Sequence, residues 1–190
     1  MKHIVIIVLA ALISAQLFAQ DFSQKQSGEV ELNKFYIDLT SRAERIDGKW
    51  GLFGGMRAGY NLTENVSFGL TAHGLIPDIR ESNYINQTGK DELTFGYGGI
   101  ESNYKYNLSE NFYLTGTFMA GMGRIALKTL GGHDYFFVFE PGTSVNFRIT
   151  EWFGLGYSVN YRLATGVNYA DFYNKSFSGW SMELGFKFGF

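Results

Sequence analysis

Along this chain apolar and polar residues alternate in run after run, with no sign of helical spacing. In the stretch from Phe153 to Ala164 the apolar set is Phe153, Leu155, Tyr157, Val159, Tyr161 and Leu163. Gly154, Gly156, Ser158, Asn160, Arg162 and Ala164 oppose it. A period of two puts each set on its own face of a β-strand. The last run is unbroken, with Trp180, Met182, Leu184, Phe186, Phe188 and Phe190 on one face and Ser181, Glu183, Gly185, Lys187 and Gly189 on the other. Three segments repeat one design: Tyr60-Asn-Leu-Thr-Glu-Asn-Val-Ser-Phe68, Tyr106-Asn-Leu-Ser-Glu-Asn-Phe-Tyr-Leu114 and Phe147-Arg-Ile-Thr-Glu-Trp-Phe-Gly-Leu155. Each is an alternating run, a short turn carrying Thr-Glu or Ser-Glu, and a second run. Asn, Ser and Thr suit such turns because their side chains hydrogen-bond nearby backbone. The repeat returns at intervals of roughly forty residues, one hairpin plus one longer loop. A propeller has a similar period but needs more strands than this chain can hold.

Laying strands between the turns predicts eight: Lys34–Arg42, Trp50–Asn61, Val66–Ile76, Leu93–Asn107, Phe112–Arg124, Tyr135–Arg148, Phe153–Ala164 and Ser178–Phe190. Between them lie the three tight turns and four longer or more polar connections, Ala43–Lys49, Pro77–Glu92, Ile125–Asp134 and Thr165–Phe177. The expected fold is all-β, an eight-stranded antiparallel up-and-down barrel with short turns at one end and loops at the other. One strand breaks parity. Phe95 and Tyr97 share a face, yet beyond Gly98-Gly99 the apolar set becomes Ile100, Tyr104 and Tyr106, so a bulge is expected at the glycine pair.

Composition supports strands: Gly 24, Phe 18 and Tyr 12 against Pro 2, since aromatics suit pleated surfaces and proline breaks ladders. Alternation alone does not say which face is inside, and a soluble lipocalin-like barrel has the same period in the opposite sense. The polar faces decide. They carry Gly, Ser, Thr and Asn where a water-facing exterior would carry many Lys and Glu. Apolar-out is therefore expected, which makes the barrel transmembrane. A mean hydropathy of −0.08 suits it, because lumenal residues cancel lipid-facing ones. Trp50 and Trp180 at the loop end, with Tyr60, Tyr106, Tyr113 and Trp152 at the turn end, read as aromatic girdles. Arg124 keeps lipid-facing parity at the loop end, where a cation costs only about 0–1 kcal/mol.

Lys2 and His3 precede an apolar run from Ile4 to Phe18 that is short for a spanning helix, and Leu17-Phe-Ala19 offers a cleavage site. This predicts a signal peptide over 1–19, a flexible lead-in over 20–33 and a barrel over 34–190. With no cysteine anywhere, a lipoprotein anchor, disulfides and thiolate metal sites are excluded. The net charge of −2 argues against nucleic acid as a partner.

The alternating terminal strand ending on Phe190 resembles the closing strand of Gram-negative outer-membrane β-barrels. Eight strands, a terminal aromatic and a signal peptide make the mature chain similar to the small outer-membrane β-barrel proteins of the OmpA-transmembrane and OmpX type. The resemblance implies an outer-membrane location and contact with outer-membrane lipid and lipopolysaccharide. It also implies that Phe186, Phe188 and Phe190 belong to the signal read by the barrel-assembly machinery. It carries no catalytic or ligand motif.

Face assignment collects a lumenal charge set: Asp38, Arg42, Arg57, Glu101, Lys105, Glu140, Arg148, Arg162, Glu183 and Lys187. An eight-stranded barrel is just wide enough for side chains to fill, so these groups are expected to pair as a structural network. A gated ion path is the sharper alternative. Outside the signal segment the histidines are His73, expected in the lumen beside Thr71, and His133 in a loop next to Asp134. Neither sits in a nucleophile motif, so no catalytic, metal or cofactor site is expected. Arg124 and Lys128, with Arg80, Lys90 and Lys175, are candidates for lipopolysaccharide phosphates. The leading functional expectation is a non-enzymatic structural or surface-interaction barrel acting in membrane integrity or adhesion. It would present loops 77–92 and 165–177 to an extracellular ligand, the latter through Tyr169, Phe172 and Tyr173. A lipid-modifying enzyme and a narrow channel for small solutes are the alternatives.

Overall fold

The structure, a computed structural model, describes residues 35–76, 85–86, 89–90, 93–127, 132–169 and 172–189. Eight strands close into an antiparallel barrel: β1 Phe35–Ile46, β2 Lys49–Asn61, β3 Val66–Leu75, β4 Leu93–Asn107, β5 Phe112–Leu127, β6 Asp134–Arg148, β7 Phe153–Thr165 and β8 Gly179–Phe188. Each pairs with its sequence neighbours, and β8 returns to β1 in a seam running from Ile37 opposite Phe188 to Glu44 opposite Ser181. Two residue pairs, Ile85–Asn86 and Gly89–Lys90, form a separate small ladder. The signal and lead-in segments, Lys34, Arg80, Lys128 and Phe190 lie outside the described residues.

The repeated turns share one hydrogen bond. The hydroxyls of Thr63, Ser109 and Thr150 accept the backbone N–H of Val66, Phe112 and Phe153 at 3.0, 3.1 and 3.0 Å, each joining the turn to the start of the next strand. The expected loop Ala43–Lys49 is a much tighter connection. β1 and β2 continue to Ile46 and Lys49 around Asp47-Gly48, whose φ values of 47° and 80° match the Asp-Gly turn that follows the twist of paired strands.

The apolar faces point outward. Leu70, Ile100, Phe137 and Leu184 are all exposed on the outer wall. Trp50 and Trp180 ring the loop end, and Phe35, Tyr60, Tyr106 and Trp152 the turn end. Tyr113 is a correction to the girdle, because it is buried and faces the lumen.

The bulge expected at Gly98-Gly99 is absent. Pairing runs without a skip from Gly96 to Tyr104 against β3 and from Leu93 to Asn107 against β5. Phe95 and Tyr97 therefore point inward with Glu101, and the strand never changes parity. The glycines serve close approach instead. A Cβ on Gly99 would collide with the Ala120 carbonyl oxygen, and one on Gly121 with that of Gly98.

Inward-facing aromatics belong to an apolar layer that fills the loop end of the lumen. Phe53, Phe95, Phe136 and Phe177 are its centre, with ring centroids 5.0 Å apart for Phe95 and Phe177 and 5.3 Å for Phe136 and Phe177. Phe177 and Phe172 come from the β7–β8 connection, which folds inward. Its Ser176 hydroxyl donates to Asp47 Oδ1 at 3.0 Å and the Asp47 N–H donates to the Ser176 carbonyl at 2.6 Å. Of the aromatics expected on this connection's surface, Phe172 is buried in the apolar layer and Tyr169 is half-buried against it, while Tyr173 is 70% exposed.

Candidate functional site

Beneath the apolar layer the lumen holds a buried ionic network centred on Arg42 of β1. Its Nε and Nη2 meet one carboxylate oxygen of Glu183 at 2.7 and 2.6 Å, and its Nη1 donates to Glu140 at 2.6 Å and to the Tyr97 oxygen at 2.5 Å. The same Nη1 lies 3.2 Å from Glu44. Arg57 of β2 extends the chain, donating from Nη1 to Glu183 at 2.6 Å and from Nε to Glu101 at 2.9 Å. At the other side Arg162 of β7 pairs with Glu44, and its Nε donates to the Phe177 carbonyl at 2.6 Å. The Arg162 guanidinium also stands 4.9 Å from the Phe95 ring centre and 5.0 Å from that of Tyr97, joining the ionic layer to the apolar one. The Tyr97 hydroxyl donates to Glu44, and Glu140 Oε2 lies 3.1 Å from the same oxygen.

Local sequence explains the arrangement. Asp38, Thr40, Arg42 and Glu44 are alternate residues of β1 and share its lumenal face. Register places Arg42 beside Glu183 and Asp38 between Arg57 and Lys187. Shared carboxylates and several hydrogen bonds per guanidinium are what buried charges need to persist.

Of the ten lumenal charges expected, Arg42, Arg57, Glu101, Glu140, Arg162 and Glu183 come together in this network. Lys187 makes a separate pair with Asp38 at 2.7 Å, nearer the turn end. Lys105 and Arg148 lie lower still, 5.2 and 5.1 Å from the Tyr113 ring centre, and Arg148 Nη1 donates to the Glu110 carbonyl at 3.2 Å. Sequence reading missed Glu44 and Tyr97. Unbroken parity would have found both: Glu44 follows Asp38 and Arg42, and Tyr97 precedes Glu101 and Lys105.

His73 is buried in the lumen, its Nε2 2.9 Å from the Thr71 hydroxyl and its ring beside Tyr97. His133 is exposed against Tyr135, and Asp134 accepts the backbone N–H groups of Tyr135 and Asn168, each at 2.8 Å. Among the described residues no three metal-ligating side chains gather. Arg124 is exposed on the outer wall at the loop end, between Gly96 and Tyr135 of the flanking strands. Phe186 faces outward, and Phe188 packs on Phe153 with ring centres 5.4 Å apart.

No protein-family model and no curated protein sequence matches the chain. Solved structures do. The crystal structure of Neisserial surface protein A is 16% identical, with a TM-score of 0.61 over 82% of this chain and 97% of that one. The N-terminal β-barrel domain of Pseudomonas aeruginosa OprF is 15% identical, with a TM-score of 0.56 over 84% of this chain and 98% of that one. Likeness at this identity is a likeness of fold, and it agrees with the apolar outer wall and its aromatic rings. The chain has the fold of the small eight-stranded outer-membrane β-barrels, a closed antiparallel barrel with an apolar outer wall.

Proposed function

We propose that the chain is a non-catalytic outer-membrane barrel that acts through its surface, as a structural element and a platform for contacts outside the cell. The filled lumen carries this reading. The apolar layer and the ionic layer lie in series across the bore, and both are buried. A bore so filled favours a scaffold over a channel. The surroundings of His73, a threonine hydroxyl and an aromatic ring, do not favour a lipid-modifying enzyme.

With the loop end outward, as in outer-membrane barrels, the turn Asn174–Ser176, latched to Asp47, presents exposed Tyr173 and Lys175. Arg124 has the parity and height to meet lipopolysaccharide phosphate, and Phe186 and Phe188 have the outward parity expected of an assembly signal. Three measurements test the reading. Planar bilayers containing the protein should show no unitary current, whereas regular current steps would favour a channel. Replacing 168–175 by a short Gly-Ser linker should change cell-surface binding or adhesion while the protein still inserts. Unchanged binding would remove that loop from the contact surface. Arg124→Gln should raise permeability to hydrophobic dyes if it holds lipopolysaccharide.

A further inference from the structure

The outer wall carries almost no charge. Among the described residues of the eight strands, only Arg45 of β1 and Arg124 of β5 are charged at outward positions, and no outward position holds an acid. Both arginines lie at the loop end. In the closed strand order β1 and β5 are four strands apart whichever way the barrel is followed, so the two stand on opposite sides. The exposed acids of the tight turns, Glu64, Glu110 and Glu151, lie at the other end. The wall is thus polarised, with its cations where the loops are.

Arg45 has the more developed surroundings. Register sets it opposite Trp50, and its guanidinium stands 5.9 Å from the centre of the Trp50 ring. The turn steadies it there, because Nη2 donates to the Gly48 carbonyl at 3.1 Å. On the other flank Glu44 faces Ser181 across the seam, which sets Trp180 beside Arg45 on the outer wall. Trp180 is itself held, its ring centre 4.9 Å from that of Tyr161. Both indoles are about half exposed, Trp50 at 53% and Trp180 at 56%. Among the described residues no carboxylate pairs with Arg45. The neighbouring acids are turned elsewhere: Glu44 points into the lumen, and Asp47 accepts the Ser176 hydroxyl. A cation at this depth of the wall is tolerated but gains nothing from hydrocarbon. It gains from phosphate oxygens, which accept a guanidinium's N–H groups in pairs. An indole at the same level keeps its ring in the apolar region and offers its N–H to the headgroup. An arginine between two tryptophans on a membrane wall therefore has the chemistry of a lipid-phosphate site.

We propose, on the reading that the loop end lies in the outer leaflet, that Arg45 with Trp50 and Trp180 holds a phosphate of a lipopolysaccharide molecule. It is a second lipid contact, on the side of the barrel away from Arg124. The test uses the full mature chain in phosphatidylcholine nanodiscs, titrated with the bisphosphorylated lipid anchor of lipopolysaccharide. The indole N–H resonances of the three tryptophans are followed by NMR. The Trp50 and Trp180 signals should shift saturably, and that of Trp152, at the turn end, should stay in place. Arg45→Gln should weaken binding about tenfold, the worth of one charge-assisted hydrogen bond. Arg45→Lys should retain part of the binding, and Arg124→Gln should leave the shifts of Trp50 and Trp180 unchanged. Three outcomes would overturn the proposal: all three indoles shifting alike, an Arg45→Gln variant that is folded by its NMR spectrum and titrates like the parent, or an equal response to phosphatidylglycerol. Both leaflets of a nanodisc take up the lipid, so the result does not depend on which end faces outward in the cell. A failure here leaves the current and loop-replacement measurements to judge the surface-contact reading on their own.

Discussion

At the scale of single residues, the lumen is built from large side chains lying over glycines of neighbouring strands. Gly123 is one such place: a Cβ there would stand 2.6 Å from the Phe136 ring, which is itself packed among Phe95 and Phe177. Gly123→Ala should therefore cost about 1–3 kcal/mol by overpacking. Gly116→Ala, on the outer wall with nothing within 4 Å, should be near neutral. Urea unfolding followed by tryptophan fluorescence in micelles compares the two, and equal midpoints would contradict the overpacking account. Arg42 is the harsher case. Arg42→Met leaves Glu183 and Glu140 buried with fewer counter-charges, a loss of about 3–5 kcal/mol for breaking a buried pair. Lys187→Met, at the more open turn end, should cost clearly less. If both variants unfold at the parent's urea concentration, the network does not hold the barrel together.

At the scale of elements, the turns were legible and the ends of the loop-side strands were not. Thr-Glu and Ser-Glu marked the tight turns because the hydroxyl that caps each turn must come from the chain itself. Thr63→Ala, Ser109→Ala and Thr150→Ala should each lower stability by about 0.5–1.5 kcal/mol, read by the same unfolding assay. An unaffected triple variant would mean that the strands alone set these turns. By contrast, Glu44 and Arg45 lie in a polar stretch that reads as a loop, whereas Glu44 is buried by Arg162 from a strand more than a hundred residues away. The β4 parity is hidden for the mirror reason. Phe95 and Tyr97 break the parity of Ile100, Tyr104 and Tyr106 in the sequence, and only long-range packing against Phe53 and Phe177 shows that part of the lumen is apolar. The inward fold of the β7–β8 connection rests on Asp47 and Ser176, a contact between the two extremes of the barrel sequence that no local pattern encodes.

At the scale of the whole molecule, the layers of the lumen divide stability from closure. The apolar layer is large and supplied partly by a loop, so truncating it should be costly: Phe177→Ala is expected to lose about 3–5 kcal/mol. Yet closure does not depend on that layer alone. Arg42, Arg57, Glu140 and Glu183 span the bore below it through carboxylates shared between β1, β2, β6 and β8, and none of these pairs uses the Phe177 side chain. Arg162 is the link between the layers, but it takes the Phe177 backbone carbonyl, which alanine keeps. A Phe172→Ala, Phe177→Ala double variant should therefore be less stable than the parent and still give no unitary current in planar bilayers. Adding Arg42→Met removes the common partner of the ionic layer, and only then should intermittent ion flow appear. Steps of current in the double variant would place the seal in the aromatic layer, and a silent triple variant that is still folded would mean that the remaining wall side chains close the bore without either layer.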